Sequence, residues 1–162
     1  PIELRRPDFA DSAFQILSET ATPADALELE ITESVAVGGL AAAIETLAAL
    51  RASGITVAID DFGTGYSSLS YLERLPADRL KIDRSFVQGL ERGQGAARIP
   101  RTIIALGREL GLRVIAEGVE NESVALAVRA LGCHEAQGYH FARPMIEADF
   151  VASLTAGGCA AG

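Results

Sequence analysis

The segment IDDFGTGYSSL, residues 59–69, leads from an apolar run into two adjacent carboxylates and then into a glycine-rich turn. Asp60 and Asp61 stand at the edge of a predicted buried strand, where a carboxylate is costly to desolvate unless a positive group meets it. The pair therefore indicates a divalent cation, a basic partner or the N–H groups of a helix N-terminus. An aspartate at a strand end before glycine is also a common turn former or cap. This stretch alone leaves a metal site and a simple turn both open.

Four further strands are predicted along the chain, and each ends near a polar side chain. Short β-branched or leucine-rich runs bounded by turn signals predict strands at residues 26–32, 55–60, 79–83, 112–117 and 134–138. In α/β barrels the active site lies at the C-terminal ends of the strands, because the loops there are free to vary. We therefore expect one cluster to be formed by the residues at these ends, which are Glu30, Asp60, Asp61, Lys81, Asp83, Glu117 and Gln137.

Helical patterns separate the strands. They predict a helix that opens at Pro7, a helix at 38–52, and a short helix that ends at about 73 after hydroxyl caps and free N–H groups at 64–68. They also predict a helix that ends at 110 with Pro100 near its first turn, and helices at 121–131 and 146–154. Residues 91–97 are predicted to form a loop. Strand and helix alternate as in parallel βαβ units with right-handed crossovers. Five such strands form either an open sheet or part of a barrel, and the sequence pattern alone does not distinguish these two architectures.

Several of these polar residues also have an ordinary structural explanation. Alternation puts Glu28, Glu30 and Thr32 on one face, which is either the wet face of an edge strand or the mouth of a barrel. Lys81 either extends its ammonium to solvent or meets carboxylates inside a barrel. Glu117 is either an acid at a helix N-terminus or a residue of the mouth. The glycine-rich turn at 63–68 either cradles an anion or caps a helix.

Composition narrows the classes of function. The chain has 162 residues, 49% of them hydrophobic, and a formal net charge of −8. The net negative charge disfavours binding to DNA, RNA or a membrane surface, which needs a positive field. The charge of a phosphate substrate would then have to be neutralised by metal ions or by a few well-placed cationic side chains. Cys133 and Cys159 have no metal-ligand spacing, which favours a reduced compartment without a structural disulfide. With neither a membrane-spanning run nor a signal peptide, a soluble, cytoplasmic location is predicted.

Five long motifs carry a resemblance to a known family. LELEITES (27–34), IDDFGTGYSSLSYL (59–72), LKIDRSFV (80–87), VIAEGVE (114–120) and AQGYHFARP (136–144) stand in the order and spacing of EAL domains, which hydrolyse cyclic di-GMP. That family folds as an eight-stranded (β/α) barrel, and the match begins just before its fourth strand. The resemblance implies an incomplete TIM-type barrel at 1–155 that lacks the first three strands, followed by a flexible tail at 156–162.

The resemblance also implies roles for the site residues. It makes Glu30, Asp60, Asp61 and Asp83 ligands of two Mg²⁺ or Mn²⁺ ions, and it makes Glu117, Lys81 and Asp61 catalytic, with Glu33 holding the glycine-rich loop and Gln137 supporting the site. The signature Glu-Ala-Leu strand and a strand with an asparagine ligand are absent from the sequence. His134 and Glu135 depart from the family pattern, which we interpret as tuning of the site.

The leading interpretation is metal-dependent hydrolysis of cyclic di-GMP to linear pGpG by the parent EAL domain. The runner-up is a non-catalytic module that binds cyclic di-GMP or a partner protein as a sensor, and a third is an α/β fragment without chemistry. The resemblance further implies a homodimer in the parent protein, upstream GGDEF or sensory domains, and no binding to nucleic acid. Membrane attachment would come only through other domains. The 162 residues alone are expected to be inactive and to have open edges at 26–32 and 134–138. They are expected either to self-associate through the 26–32 edge or to exist only as part of a longer or associated chain.

Overall fold

The centre of the fold is a parallel five-stranded sheet. The computed structural model describes residues 4, 6, 8–33, 40–65, 69–92 and 95–155. The strands are β1 (Glu28–Thr32), β2 (Thr56–Phe62), β3 (Arg79–Ile82), β4 (Arg113–Ala116) and β5 (Glu135–Ala136), in the spatial order β1-β2-β3-β4-β5. Strand order follows the sequence and every pairing is parallel. The α/β class is confirmed, and an open sheet of this order is consistent with part of a (β/α) barrel.

Helices follow the strands in the βαβ pattern. They are α1 (Phe9–Glu19), α2 (Leu40–Ala52), α3 (Leu69–Leu72), α4 (Arg84–Gln88), α5 (Arg98–Glu109), α6 (Glu122–Ala130) and α7 (Glu147–Thr155), with 3₁₀ turns at Ala24–Ala26 and Gly89–Arg92. Among the described residues, none of these helices is both long and apolar enough to cross a membrane.

Most helices lie within a few residues of their predicted positions, including the short helix expected to end at about 73, which is the single turn α3. Two details differ. Helix α4 was not predicted; it is capped by Asp83, whose side chain accepts a hydrogen bond from the backbone N of Ser85. The predicted loop at 91–97 begins inside the second 3₁₀ turn. Some predictions concern segments outside the described residues. These segments are the start of α2 before 40, the hydroxyl caps at 66–68, residues 93–94 of the predicted loop, and the tail at 156–162 with Cys159.

The two faces of the sheet have different chemistry. Val57, Ile59, Leu80, Ile82 and Val114 are fully buried in the core that the sheet forms with its helices. Because side chains alternate along a strand, the residues between them lie on the opposite face. Burial of each such aliphatic side chain contributes about 1.5–3 kcal/mol to the stability of the fold. The buried face therefore sets the strand register, and the register determines which side chains lie on the opposite, polar face.

The outer strands of the described sheet are β1 and β5, as the sequence predicted. Strand β1 pairs with β2 and strand β5 with β4, and each has one side without a strand partner among the described residues. Self-association through the edge at 26–32 stays a prediction.

Candidate functional site

A buried lysine is the centre of the polar cluster at the C-terminal ends of the strands. Lys81 is only 3% exposed, and its Nζ atom lies 2.7 Å from Oε1 of Glu117 and 3.2 Å from Oδ1 of Asp60. It also donates a hydrogen bond to Oε1 of Glu30. A buried ammonium is costly unless it is paired. Strands β1, β2 and β3 and the end of β4 each supply a member of this cluster, which is the convergence that the sequence predicted.

A β-bulge turns Asp60 and Asp61 toward the same site. Ile59 pairs with Leu80 and Phe62 pairs with Ile82, so the two aspartates of β2 lie opposite Lys81 alone. In a regular strand, consecutive side chains point to opposite faces. Here Asp61 has a φ of 54°, in the left-handed region, which breaks this alternation. Oxygen atoms of Asp60, Asp61 and Glu117 consequently lie within 4.8 Å of one another.

This cluster fits a divalent cation. Oδ1 of Asp60 is buried and has no hydrogen-bond partner among the described residues, although it is at ion-pair distance from Lys81. Glu30, Asp60 and Glu117 bring three carboxylates to one ammonium, and Asp61 adds a fourth carboxylate beside Asp60 and Glu117. A buried oxygen without a donor and an excess of carboxylate charge are the conditions that hard cations relieve.

Burial and charge shift the pKa values of three groups. Burial raises the pKa of Glu117, and the opposing hydrogen bond from Lys81 does not cancel the effect. The pKa of Asp61 is also raised, first by desolvation and then by the nearby charges of Asp60 and Asp83. Burial alone would lower the pKa of Lys81, but hydrogen bonds with Glu117 and Glu30 outweigh it and hold the pKa above its usual value. Lys81 therefore stays an ammonium, and the carboxylates repel one another.

Gln137 supports Glu117 from the end of β5. Its Nε2 atom donates a 2.6 Å hydrogen bond to Oε1 of Glu117, the same oxygen that contacts Lys81. The backbone of Gln137 is held in turn, because Val119 N donates to Gln137 O at 3.1 Å. Gly138 permits this approach, since a Cβ atom there would lie 2.2 Å from the carbonyl oxygen of Val119.

Glu33 contacts the loop that follows the two aspartates. It is 4% exposed, and its Oε2 atom accepts hydrogen bonds from the backbone N of Gly63 at 2.9 Å and of Gly65 at 3.3 Å. Gly63 has a φ of 100°, a conformation that favours glycine. One buried carboxylate thus satisfies two loop N–H groups directly after Asp61.

Asp83 lies outside the group formed by Asp60, Asp61 and Glu117, whose oxygen atoms lie within 4.8 Å of one another. Its Oδ1 atom accepts the 3.0 Å hydrogen bond from Ser85 N that caps α4, and it also accepts one from the Ser85 hydroxyl. Its charge still reaches Asp61, whose pKa it helps to raise. A role for Asp83 as a metal ligand stays a prediction.

Sequence reasoning missed a cleft of about 520 Å³ beside Glu117 and Gln137. Arg84, Tyr139, Arg143 and Phe150 are among the residues that line it. The guanidinium carbon of Arg143 lies 5.2 Å from the centre of the Tyr139 ring, within cation–π range. The available signal was an arginine shortly after each of two predicted strands, in DRSF and FARP.

The family is established by comparison. A family model described as EAL domain matches residues 1–144. The chain belongs to the EAL domain family.

Relatives of this EAL domain include named enzymes. It is 48% identical over 128 residues, 79% of the chain, to the bifunctional diguanylate cyclase/cyclic di-GMP phosphodiesterase MucR of Pseudomonas aeruginosa, of which this covers 19%. A structure of the PaMucR phosphodiesterase in complex with c-di-GMP has a TM-score of 0.86 and 42% identity, over 92% of this chain and 60% of that chain. The manganese/cy-diGMP complex of Klebsiella pneumoniae BlrP1 has a TM-score of 0.78 and 32% identity, over 86% of this chain and 36% of that chain. The chain spans 18–23% of the length of three other curated relatives that it matches.

Proposed function

We propose that, in the full-length protein, this EAL domain hydrolyses cyclic di-GMP to linear pGpG with two divalent cations, Mg²⁺ or Mn²⁺. The observation that carries the proposal is the convergence of Asp60, Asp61 and Glu117, with oxygens within 4.8 Å, around the buried ammonium of Lys81. The similarity to the PaMucR phosphodiesterase supports the substrate, and the similarity to the manganese complex of BlrP1 supports the metal.

The ions would be held by Glu30, Asp60, Asp61 and Asp83. When bound, they would lower the pKa of the attacking water and offset charge on the phosphate. Asp60 would suit a ligand role, because its buried Oδ1 has no hydrogen-bond donor among the described residues. Glu33 would act indirectly, by holding the loop that follows Asp61.

Glu117 would accept the proton of the attacking water. Its Oε1 atom is occupied by Lys81 and Gln137, which leaves Oε2 for the water. Its raised pKa makes it a better proton acceptor than an ordinary glutamate. Lys81 would orient the water and balance the charge that develops. The water oxygen would bond to phosphorus as its proton passes to Glu117, the P–O3′ bond would break, and the departing O3′ would take up a proton from solvent.

The cleft beside Glu117 would receive the rest of the substrate. Arg84 and Arg143 supply positive charge for phosphate in an otherwise acidic chain. Tyr139 and Phe150 offer flat apolar surfaces for purine rings, and both are about half exposed.

The four carboxylates assigned to the ions, Glu30, Asp60, Asp61 and Asp83, are a sparse ligand set for two cations. Octahedral Mg²⁺ takes about six ligands, so water, substrate or further chain must supply the others. We therefore propose that residues 1–162 alone hydrolyse cyclic di-GMP negligibly. Further domains such as GGDEF fit the description of MucR as bifunctional. A homodimer and a cytoplasmic location stay predictions.

The deciding experiment incubates the purified full-length protein with cyclic di-GMP and Mg²⁺ or Mn²⁺ and separates the nucleotides by chromatography. We expect pGpG to form, to be abolished by EDTA, and to be absent with Glu117→Ala. Arg51→Gln is the control, because it loses only an exposed ion pair with Asp78. Binding of cyclic di-GMP without turnover by the wild type would favour the sensor function instead. If the wild type neither binds nor hydrolyses cyclic di-GMP, the enzyme function and the sensor function are both refuted.

A further inference from the structure

A second set of charged residues lies on the same face of the sheet as Lys81. Nη1 of Arg79 is 3.1 Å from Oε2 of Glu28 and 3.2 Å from Oε2 of Glu135. Glu135 also receives a 2.8 Å hydrogen bond from Nε of Arg113. We call these four residues, Glu28, Arg79, Arg113 and Glu135, the lower ion layer.

The lower ion layer repeats the arrangement of the site one pleat nearer the N-terminal ends of the strands. Glu28, Arg79 and Glu135 each precede a site residue by two positions, namely Glu30, Lys81 and Gln137. A step of two residues keeps the same face and moves about 6.6 Å along the strand. In both layers, a cation on β3 is paired with a glutamate on β1 on one side and reaches toward β4 and β5 on the other.

Arg79 thus links the two outer strands of the described sheet. Its partner Glu28 lies on β1, beyond β2, and its partner Glu135 lies on β5, beyond β4. On β2 the residue paired in register with Arg79 is Ala58, which is fully buried and small. A small side chain at that position leaves room for the bridge to cross the intervening strand.

We propose that Arg79 is a positioning residue for the catalytic centre. By holding Glu28 and Glu135 at a fixed separation, it sets the distance between β1 and β5, and with it the distance between Glu30 and Gln137. Glu30 contacts Lys81 on one side, and Gln137 holds Glu117 on the other. The inference rests on the proposed function, because it concerns the geometry of that same site.

Loss of the guanidinium would disturb this geometry by charge repulsion. The side chains of Glu28 and Glu135 are 27% and 32% exposed, so water screens them only partly. Glu135 would keep Arg113, whereas Glu28 would lose its only ion pair among the described residues. Catalytic groups need placement within about 0.5 Å, so a small shift between strands reduces turnover more than binding.

The test compares Arg79→Met, Arg79→Lys and Arg51→Met in the full-length protein. Arg51 is the matched control, because it holds an ion pair with Asp78, the residue before Arg79, and its side chain is 50% exposed. For Arg79→Met we expect kcat to fall about tenfold with KM within about twofold of wild type, and Mn²⁺ affinity to fall about tenfold by calorimetry. Arg79→Lys should recover most of both, and Arg51→Met should match wild type.

Unchanged kcat and Mn²⁺ affinity in folded Arg79→Met would overturn the inference, as would an equal loss in Arg51→Met. If Arg79→Met does not fold, Glu28→Gln breaks one side of the bridge and should show the same losses in weaker form. If the wild type does not hydrolyse cyclic di-GMP, the proposed function fails, and Mn²⁺ affinity alone decides whether Arg79 positions the cluster. If the wild type binds no Mn²⁺, the proposed function and the positioning role of Arg79 are both overturned.

Discussion

Nζ of Lys81 lies 3.2 Å from Oδ1 of Asp60, and that buried oxygen accepts no hydrogen bond among the described residues. The same ammonium is hydrogen-bonded to Glu30 and ion-paired with Glu117, so one cation serves three carboxylates. The charge of Asp60 is therefore only partly balanced. This relationship predicts that Lys81 and a divalent cation compete for the same negative charge while both are needed for turnover.

Lys81→Met should separate these two effects. Without the ammonium, the carboxylates lack an internal counter-charge, so we expect Mn²⁺ to bind about tenfold more tightly by calorimetry. Turnover should fall by about 100-fold, because the attacking water loses its orienting donor. Thermal unfolding in EDTA should show a less stable protein, since the carboxylates then repel one another without relief. Weaker Mn²⁺ binding would instead show that Lys81 organises the carboxylates more than it competes with the metal.

Glu117→Gln should remove the proton acceptor and keep its shape. We expect turnover of cyclic di-GMP to fall by about 1,000-fold while the dissociation constant for the nucleotide changes little, because a general base acts in the chemical step. Equilibrium binding and single-turnover assays on the full-length protein measure the two quantities. Glu122→Gln, in the first turn of α6, is the control. Activity within a few-fold of wild type would remove Glu117 from this role.

Asp60→Asn should weaken metal binding itself. The amide keeps the size of the side chain but loses the charge that a cation needs, so Mn²⁺ affinity should fall by about tenfold or more. Asp78→Asn is the matched control, because Asp78 is bonded to Arg51 and Val57 N and lies outside the cluster. Equal Mn²⁺ affinity of wild type and Asp60→Asn in calorimetry would refute a ligand role for Asp60.

The sequence was sufficient to predict the strands and the end of the sheet where polar residues meet. Alternation is a local property, so Glu30 and Lys81 could be assigned to one face without knowing their partners. The bulge at Asp60 and Asp61 could not be predicted, because it is defined by the register of β2 against β3. Without that register, consecutive aspartates would be expected to point in opposite directions.

Contacts between distant segments were also beyond the sequence. Glu28 and Glu135 are 107 positions apart, and only the strand order brings both to Arg79. In the sequence, each is a charged residue on a strand face with solvation as its default explanation. The cleft lined by Arg84 and Arg143 likewise depends on how two loops pack. Local patterns thus predict elements and faces, whereas bulges and ion bridges depend on pairing.

Gly138→Ala tests whether the placement of Gln137 matters to Glu117. A Cβ atom at residue 138 would lie 2.2 Å from the oxygen and 2.4 Å from the nitrogen of Val119, so one backbone segment must move. The bond from Val119 N to the carbonyl oxygen of Gln137 joins the same segments, and its loss should shift Gln137 away from Glu117. Overpacking of this kind lowers the free energy of unfolding by about 1–3 kcal/mol, so we expect Tm to fall by several degrees.

Gly95→Ala is the control for this substitution, since an added Cβ atom there meets nothing within 4 Å. Tm of the control should stay within about a degree of wild type, as for ordinary surface substitutions. Differential scanning calorimetry measures stability, and turnover at a temperature where Gly138→Ala is fully folded measures the effect on the site. We expect kcat of Gly138→Ala to fall about tenfold there, because Glu117 loses the donor that fixes its Oε1 atom. A destabilised but fully active Gly138→Ala would show that Gln137 is dispensable for holding Glu117, and that Lys81 alone is enough to orient it.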